Sequence, residues 1–422
     1  MATLTITQAS CADDYDPNSM PVAKARAFIH QFLTPITGVL RVPVRSALGR
    51  VLAQDILSPV DVPSHRNSAM DGWAMRGADL KADAESTLRE IGVAFAGKPF
   101  AGTVGPGQCV RIMTGGVVPQ GADTVVMQER AKANGKSITF AVGQRTGQNV
   151  REAGEDLKAG AVALGRGRIV RPAELGLIAS LGVGEVAVYR PLRVAFFSTG
   201  DELKSIGTTL GEGEIYDSNR YTLHGMLTRL GCEVLDMGVV RDDPAAIERA
   251  FAEAAASADV VITSGGVSVG EADFVKSILG KLGEVVFWKI AMKPGRPLAY
   301  GKLGAAHFFG LPGNPVSVMV TFYQFVRDAL LVLMGAHPVE PIQTFTAKCT
   351  QKLKKAPGRT EFQRGILTRA ADGSLEVRPT GEQGSGILKS MSDANCFIIL
   401  GDATGNVEPG APVEVQLLEG LA

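Results

Sequence analysis

The chain has 422 residues, more than one compact core accommodates, so roughly two to four domains are expected. Lysine plus arginine and aspartate plus glutamate both number 43, giving a formal net charge of zero. With no long basic run, nothing points to a nucleic-acid partner. The five cysteines, Cys11, Cys109, Cys232, Cys349 and Cys396, stand apart with no CxxC pair, which argues against a structural zinc or a disulfide framework.

In chain order, residues 1–20 are expected to form a mobile tail, without the basic start and apolar core of a signal peptide. From Pro21 to Phe32 the spacing predicts a helix, with Val22, Ala25, Ile29 and Phe32 on one stripe. Residues 61–150 change character: VRIMTGG, DTVVMQE and SITFAV read as short strands among many glycines, hence a small β-rich domain. Residues 151–188 return to helix, where PAELGLIASLG carries Pro172 near its start and Gly182 at its end. From Arg190 strands and helices alternate. RVAFFSTG is a strand; Asp217-Ser218 can cap a helix over 219–230. CEVLDMGVV is the next strand, and Asp242 or Asp243 caps a helix from Pro244. DVVITSGG, VVFWKIAM and HFFGLPG are further strands, and NPVSVMVTFYQFVRDALLVLMG a long last helix. This alternation predicts a mostly parallel sheet covered on both faces. The apolar stretch Val316–Met334 carries Gln324, Arg327 and Asp328, so it reads as a buried helix and not a membrane span. Residues 338–422 switch to short strands, including EFQRGIL, SLEVRP and NCFIIL, expected to close a small β-barrel or sandwich.

Chemistry concentrates in the segment Asp259–Asp273, DVVITSGGVSVGEAD. A buried strand ends at Ser264-Gly265-Gly266, whose backbone N–H groups can approach an anion, and Glu271 and Asp273 follow near a helix start. An anion site beside carboxylates points to a phosphate with a divalent metal between. The ordinary alternative is a strand-to-helix turn with an aspartate cap. Ligands of open parallel sheets bind beyond the carboxyl ends of the strands. Five turns are expected there: Ser198–Glu202, Arg241-Asp242-Asp243, Ser264–Gly266, Lys293-Pro294-Gly295-Arg296 and Pro312-Gly313-Asn314-Pro315. Glu202, Asp242 and Asp273 suit Mg²⁺; Lys289, Lys293 and Arg296 suit an oxyanion. There is no GxxxxGK[ST], no GxGxxG at a strand end and no histidine pair with metal spacing, which excludes a P-loop nucleotidase and argues against a dinucleotide enzyme. In the β-rich segment, SAMDGWA places Asp71 beside a glycine turn, and RIMTGGVVPQGAD brings Thr114-Gly115-Gly116 and Asp123; alone, these read as tight turns.

Together SAMDGWA, RIMTGG with GADTVV, FFSTGDEL, IYDSNR, TSGGVSVGEAD, MKPGRP and GLPGNPVSV resemble the molybdopterin molybdenumtransferases of the MoeA type, similar to the gephyrin E domain. The likeness runs from about Pro21 to the C-terminus. It implies an α/β multidomain protein: an elongated linker domain over 21–60 and 151–188, a β-rich insert over 61–150, a mostly parallel-sheet molybdopterin-binding domain over 189–337 and a C-terminal β-barrel over 338–422. It also implies a cytoplasmic homodimer whose site lies between the α/β domain of one subunit and the insert of the other. The implied reaction inserts molybdate at the dithiolene sulfurs of adenylylated molybdopterin, with Mg²⁺, and releases AMP. On that likeness Asp242 and Asp273 hold Mg²⁺ with Glu202 close by, and Lys289 and Lys293 attract molybdate or the pterin phosphate. Ser264, Gly265 and Gly266 cradle phosphate or pterin, and Arg296 and the Pro312-Gly313-Asn314 turn join them. Asp71, Thr114 and Asp156 contribute from the dimer mate, and Arg364 and Ser385 match further anion positions. Trp73 stands where a tyrosine is common, and Arg296 where a lysine is often seen. The adenylyltransferase that supplies the substrate is a further partner implied; no nucleic acid or membrane is. Two other readings are a molybdopterin adenylyltransferase, which the insert and barrel argue against, and a gephyrin-like scaffold, which needs a fused trimerising domain.

Overall fold

The structure, a computed structural model, describes residue 6, residues 20–266 and residues 272–418; the side chains of residues 272–274 and 276 lie outside the described part. The central sheet has six strands: β1 Arg193–Thr199, β2 Glu233–Val240, β3 Val260–Ser264, β4 Gly283–Lys289, β5 Pro297–Leu303 and β6 Ala306–Leu311. Their spatial order is β2-β1-β3-β6-β5-β4. The first four neighbours pair in parallel, and β5 pairs antiparallel with both β6 and β4. Two reversals restore direction, so β4 runs the same way as β1, β2, β3 and β6, and all five end on one edge.

Every residue of β3 and β6 is buried. Successive side chains of a strand face opposite sides, and the apolar content follows that rule. Val194 and Phe196 of β1, Val260 and Ile262 of β3, and Phe309 and Leu311 of β6 belong to one core layer. Ala195 and Phe197, Val261, and Ala306 and Phe308 belong to the other. This two-sided burial explains why the strands read as continuous apolar runs. Helix α1, Ser218–Arg229, covers the first layer with Leu223, Met226 and Leu227; α2, Pro244–Ser257, and α3, Ala272–Leu282, cover the second. The helix Val22–His30 also joins the first layer, burying Ala25, Phe28 and Ile29, and the Phe28 and Trp288 rings meet edge-on at 5.0 Å.

Strand β5, in PLAYGKL, is absent from the sequence expectation. It follows a proline-glycine turn and has glycine and lysine within it, so its apolar signal is diluted; the antiparallel hairpin with β4 stabilises it. The long last helix is interrupted: Pro315–Thr321 and Arg327–Leu333 flank a π-helical turn over Phe322–Val326. It is apolar and long enough to cross a membrane, but 72% of the relevant window is buried inside the protein, as for a core helix.

The insert is a six-stranded sheet running from Thr124–Met127 through Gly72–Met75, Gln108–Ile112, Ser86–Ala94 and Ser137–Phe140 to Ala131–Asn134. The linker pairs Val39–Pro43 with Glu185–Tyr189 and has its own small core of Leu52, Ile178, Val186 and Val188. Its helix Pro172–Ser180 starts with Pro172 and is followed by Gly182 at φ +73°. In the C-terminal region five strands close a barrel. Thr360–Arg369 pairs with both Leu375–Pro379 and Cys396–Leu400, and Thr344–Cys349 and Pro412–Leu417 complete the ring. The short strand Met292–Lys293 adds to it beside Thr360–Glu361. Cys109, Cys232, Cys349 and Cys396 are all free thiols.

Candidate active-site cleft at the sheet edge

The carboxyl edge of the central sheet opens into a cleft of about 960 Å³. All five strand-end turns expected from the sequence contribute to it: Thr199, Gly200 and Glu202 after β1; Asp242 after β2; Ser264, Gly265 and Gly266 after β3; Lys293–Arg296 after β4; and Pro312–Pro315 after β6. The barrel closes another side with Gln383–Gly386 and Leu388, and the segment leading into α1 contributes Ile215–Asn219.

Local rules place each group. The glycines after β3 adopt φ +95° and +69°, and a Cβ on Gly265 would lie 2.9 Å from the Thr199 carbonyl oxygen. Only glycine fits there without backbone movement. Asn219 stitches two turns together, its Nδ2 donating to Ser264 Oγ at 2.8 Å and to the Gly313 carbonyl at 2.6 Å. Because that carbonyl only accepts, the amide orientation is fixed, and Asn219 Oδ1 is left buried without a partner. Asp217 caps α1 by accepting from Arg220 N–H at 3.2 Å, and its second oxygen, Oδ2, is likewise buried and unpartnered. The sequence left Asp242 and Asp243 as alternative caps. The structure assigns the cap to Asp243, which accepts from Ala246 N–H at 2.8 Å, and sets Asp242 on the cleft wall.

Of the remaining candidates, Ser385 lines the cleft, and its carbonyl accepts from Val316 N–H at 3.1 Å, tying the barrel loop to the last helix. Arg364 does not line it. It is 1% exposed, donates through Nε to Ser390 Oγ and through a terminal nitrogen to the Gly384 carbonyl, both at 2.9 Å, and so holds the loop that forms the wall. Burial pulls its guanidinium down to about 10, leaving it a cation at neutral pH. Lys289 ends β4 and is not among the lining residues; its carbonyl accepts from Met20 N–H at 3.0 Å. Asp71, Thr114 and Asp156 are exposed in the insert and linker, apart from this cleft. Asp71 and Thr114 are joined: Thr114 N–H and Oγ1 donate to Asp71 Oδ1 at 2.7 and 2.8 Å, holding the Asp71 carboxyl below the usual range. Glu271 and the side chain of Asp273 lie outside the described residues. Sequence reasoning read Asp217 only as a cap and gave Asn219 no role at the site; the IYDSNR segment was the signal available for both.

Among the described residues the lining therefore holds three carboxylates, Glu202, Asp217 and Asp242, and two cations, Lys293 and Arg296, among glycine-rich backbone. Glu202 and Asp242 supply hard oxygen donors of the kind Mg²⁺ takes, and such a site needs only one or two carboxylates because the ion keeps several waters. Among the described residues, no cluster of three histidine, cysteine, aspartate or glutamate side chains forms a complete protein-only metal site.

Family models match nearly the whole chain: the MoeA N-terminal region (domain I and II) over 20–182, the "Probable molybdopterin binding domain" over 195–331 and the MoeA C-terminal region (domain IV) over 346–418. A Haemophilus influenzae protein named molybdopterin molybdenumtransferase is 48% identical over 374 residues, covering 88% of this chain and 92% of its own. The chain belongs to the MoeA family. A Nostoc protein of the same name is 36% identical over 364 residues, 84% of this chain and 83% of its own. The crystal structure of a Pyrococcus horikoshii molybdopterin biosynthesis moeA protein superimposes with a TM-score of 0.82 at 29% identity, covering 95% of this chain and all of that one. The MoeA match extends over insert and barrel, so a lone adenylyltransferase-type domain is not favoured.

Proposed function

We propose that this chain is a molybdopterin molybdenumtransferase that places molybdenum on the dithiolene of adenylylated molybdopterin and releases AMP. The observation that carries the reading is the convergence of five strand-end turns and one barrel loop on a single cleft with both anion-cradling backbone and carboxylates. The backbone of Ser264–Gly266 cradles a phosphate of the substrate, because its N–H groups and permissive φ values let the anion come close. Lys293 and Arg296 attract the oxyanions, molybdate or phosphate, and charge-assisted contacts of this type contribute about 1.5–3 kcal/mol each. Glu202 and Asp242 would hold Mg²⁺, with Asp273 as a third ligand suggested by sequence. When bound, the ion neutralises charge on the phosphoanhydride whose cleavage frees AMP. Asn219 keeps the β3 and β6 turns in register so that both present their backbones to the same ligand.

The protein works as a homodimer in this reading, and Asp71, Thr114 and Asp156 reach the cleft of the mate. The exposed Asp71–Thr114 pair, a carboxylate already fixed by two hydrogen bonds, supports such a role. A cytoplasmic location and the adenylyltransferase as donor of the substrate follow from the same reading. Incubating the purified protein with adenylylated molybdopterin, molybdate and Mg²⁺ tests it: molybdate-dependent AMP release is expected. ATP-dependent adenylylation of molybdopterin instead would sink the assignment.

A further inference from the structure

We propose that Glu361, at the start of a barrel strand, is the positioning residue for Lys293 in the cleft, which makes the C-terminal barrel part of the anion-binding apparatus. This rests on the reading of Lys293 as an anion-binding group. Glu361 is 4% exposed, yet it carries a carboxylate. One of its oxygens accepts from Gln363 Nε2 at 3.1 Å, and that amide is itself held by donating to the Lys354 carbonyl at 3.1 Å. The other oxygen faces Lys293 Nζ at 3.6 Å. A carboxylate removed from water needs a cation or several donors to compensate. The cation comes from a neighbouring structural unit.

The geometry is directional. Backbone pairing sets Met292 beside Thr360 and Lys293 beside Glu361, and Thr360 N–H donates to the Ala291 carbonyl at 2.9 Å. The loop that carries Lys293 is thereby clamped to the barrel strand that carries Glu361. The lysine side chain is 50% exposed and belongs to a residue that lines the cleft, while the glutamate side chain is 5% exposed, so the glutamate is the fixed partner. At 3.6 Å the contact is an ion pair longer than a full hydrogen bond, so the ammonium's N–H donors stay available to an incoming anion. Without Glu361 the flexible four-carbon stem has no fixed direction, and ordering it falls to the ligand.

The test is a double-mutant cycle on Glu361→Gln and Lys293→Met, read both as kcat/KM for AMP release and as equilibrium binding of molybdate to the substrate-free protein. Glu361→Gln keeps size and the Gln363 contact. It is expected to lower kcat/KM by roughly 10-fold and to weaken molybdate binding in proportion, with thermal stability nearly kept. In the Lys293→Met background the same change should have no further effect, because a residue that acts only through Lys293 has nothing left to act on. Glu361→Asp, which retains the charge, should recover part of the loss. Multiplicative losses in the double variant, or full activity of Glu361→Gln, would overturn the proposal. A wild-type protein that releases no AMP would refute the proposed reaction instead, and the cycle would then be decided on molybdate binding alone.

Discussion

Two adjacent aspartates show how much a single position decides. Asp243 caps a helix and Asp242 lines the cleft, although either could have served as the cap by residue type. Asp243→Ala should cost about 1 kcal/mol of stability, measured by urea unfolding, and leave turnover near wild type. Asp242→Asn and Glu202→Gln should keep stability and lower AMP release by roughly 100-fold, with the Mg²⁺ requirement shifted upward. Buried His307 gives a pH signature unrelated to the site. Burial, with Lys302 adding repulsion, depresses its imidazole from 6.5 to about 4, so the folded protein holds it neutral. The unfolded chain takes up that proton first, so stability is full above pH 6.5 and falls as the pH drops from 6.5 towards 4. The gap corresponds to about 3 kcal/mol at most. Thermal melts at pH 7 and pH 5 should show this decline, and His307→Phe should flatten it across that window.

At the scale of elements, the turn after β3 depends on a backbone that no other residue adopts cheaply. Gly265 combines φ +95° with a Cβ position 2.9 Å from the Thr199 carbonyl oxygen. Gly265→Ala should cost about 1–3 kcal/mol, read from denaturant midpoints, and lower AMP release more than that loss of stability alone would, because the β1 and β3 turns must part. The hairpin of β4 and β5 serves the site differently. Two antiparallel pairings turn β4 back into the direction of its neighbours, and this delivers Lys293 and Arg296 to the edge where Glu202 and Asp242 already stand. Arg364 belongs at this scale too. Its guanidinium supports the loop at 383–386 and thus shapes the wall from behind.

For the whole molecule the decisive question is how the insert meets the cleft. Asp71, Thr114 and Asp156 do not line it within one chain. If they act from the dimer mate, Asp71→Ala and Glu202→Gln should each be roughly 100-fold less active alone and recover on mixing. Random exchange makes half the dimers mixed, each with one intact cleft of two, so about a quarter of wild-type AMP release is expected. No recovery after subunit exchange verified by mass would rule out that arrangement. The barrel enters at this scale as well, since it supplies the cleft with the Gln383–Gly386 wall and with the partner of Lys293.

The sequence by itself determined the alternation of strands and helices, the five turns that would share an edge and the family these motifs resemble. These are local signals: apolar period, glycine where φ is positive, and aspartate before a helix. It could not show β5, whose strand character comes from pairing, or choose between Asp242 and Asp243. It also could not show that Arg364 lies behind the wall, that Asn219 bridges two turns, or that Glu361 faces Lys293. Each of those facts depends on which residues, distant along the chain, become neighbours when the layers pack, and only the tertiary structure decides that.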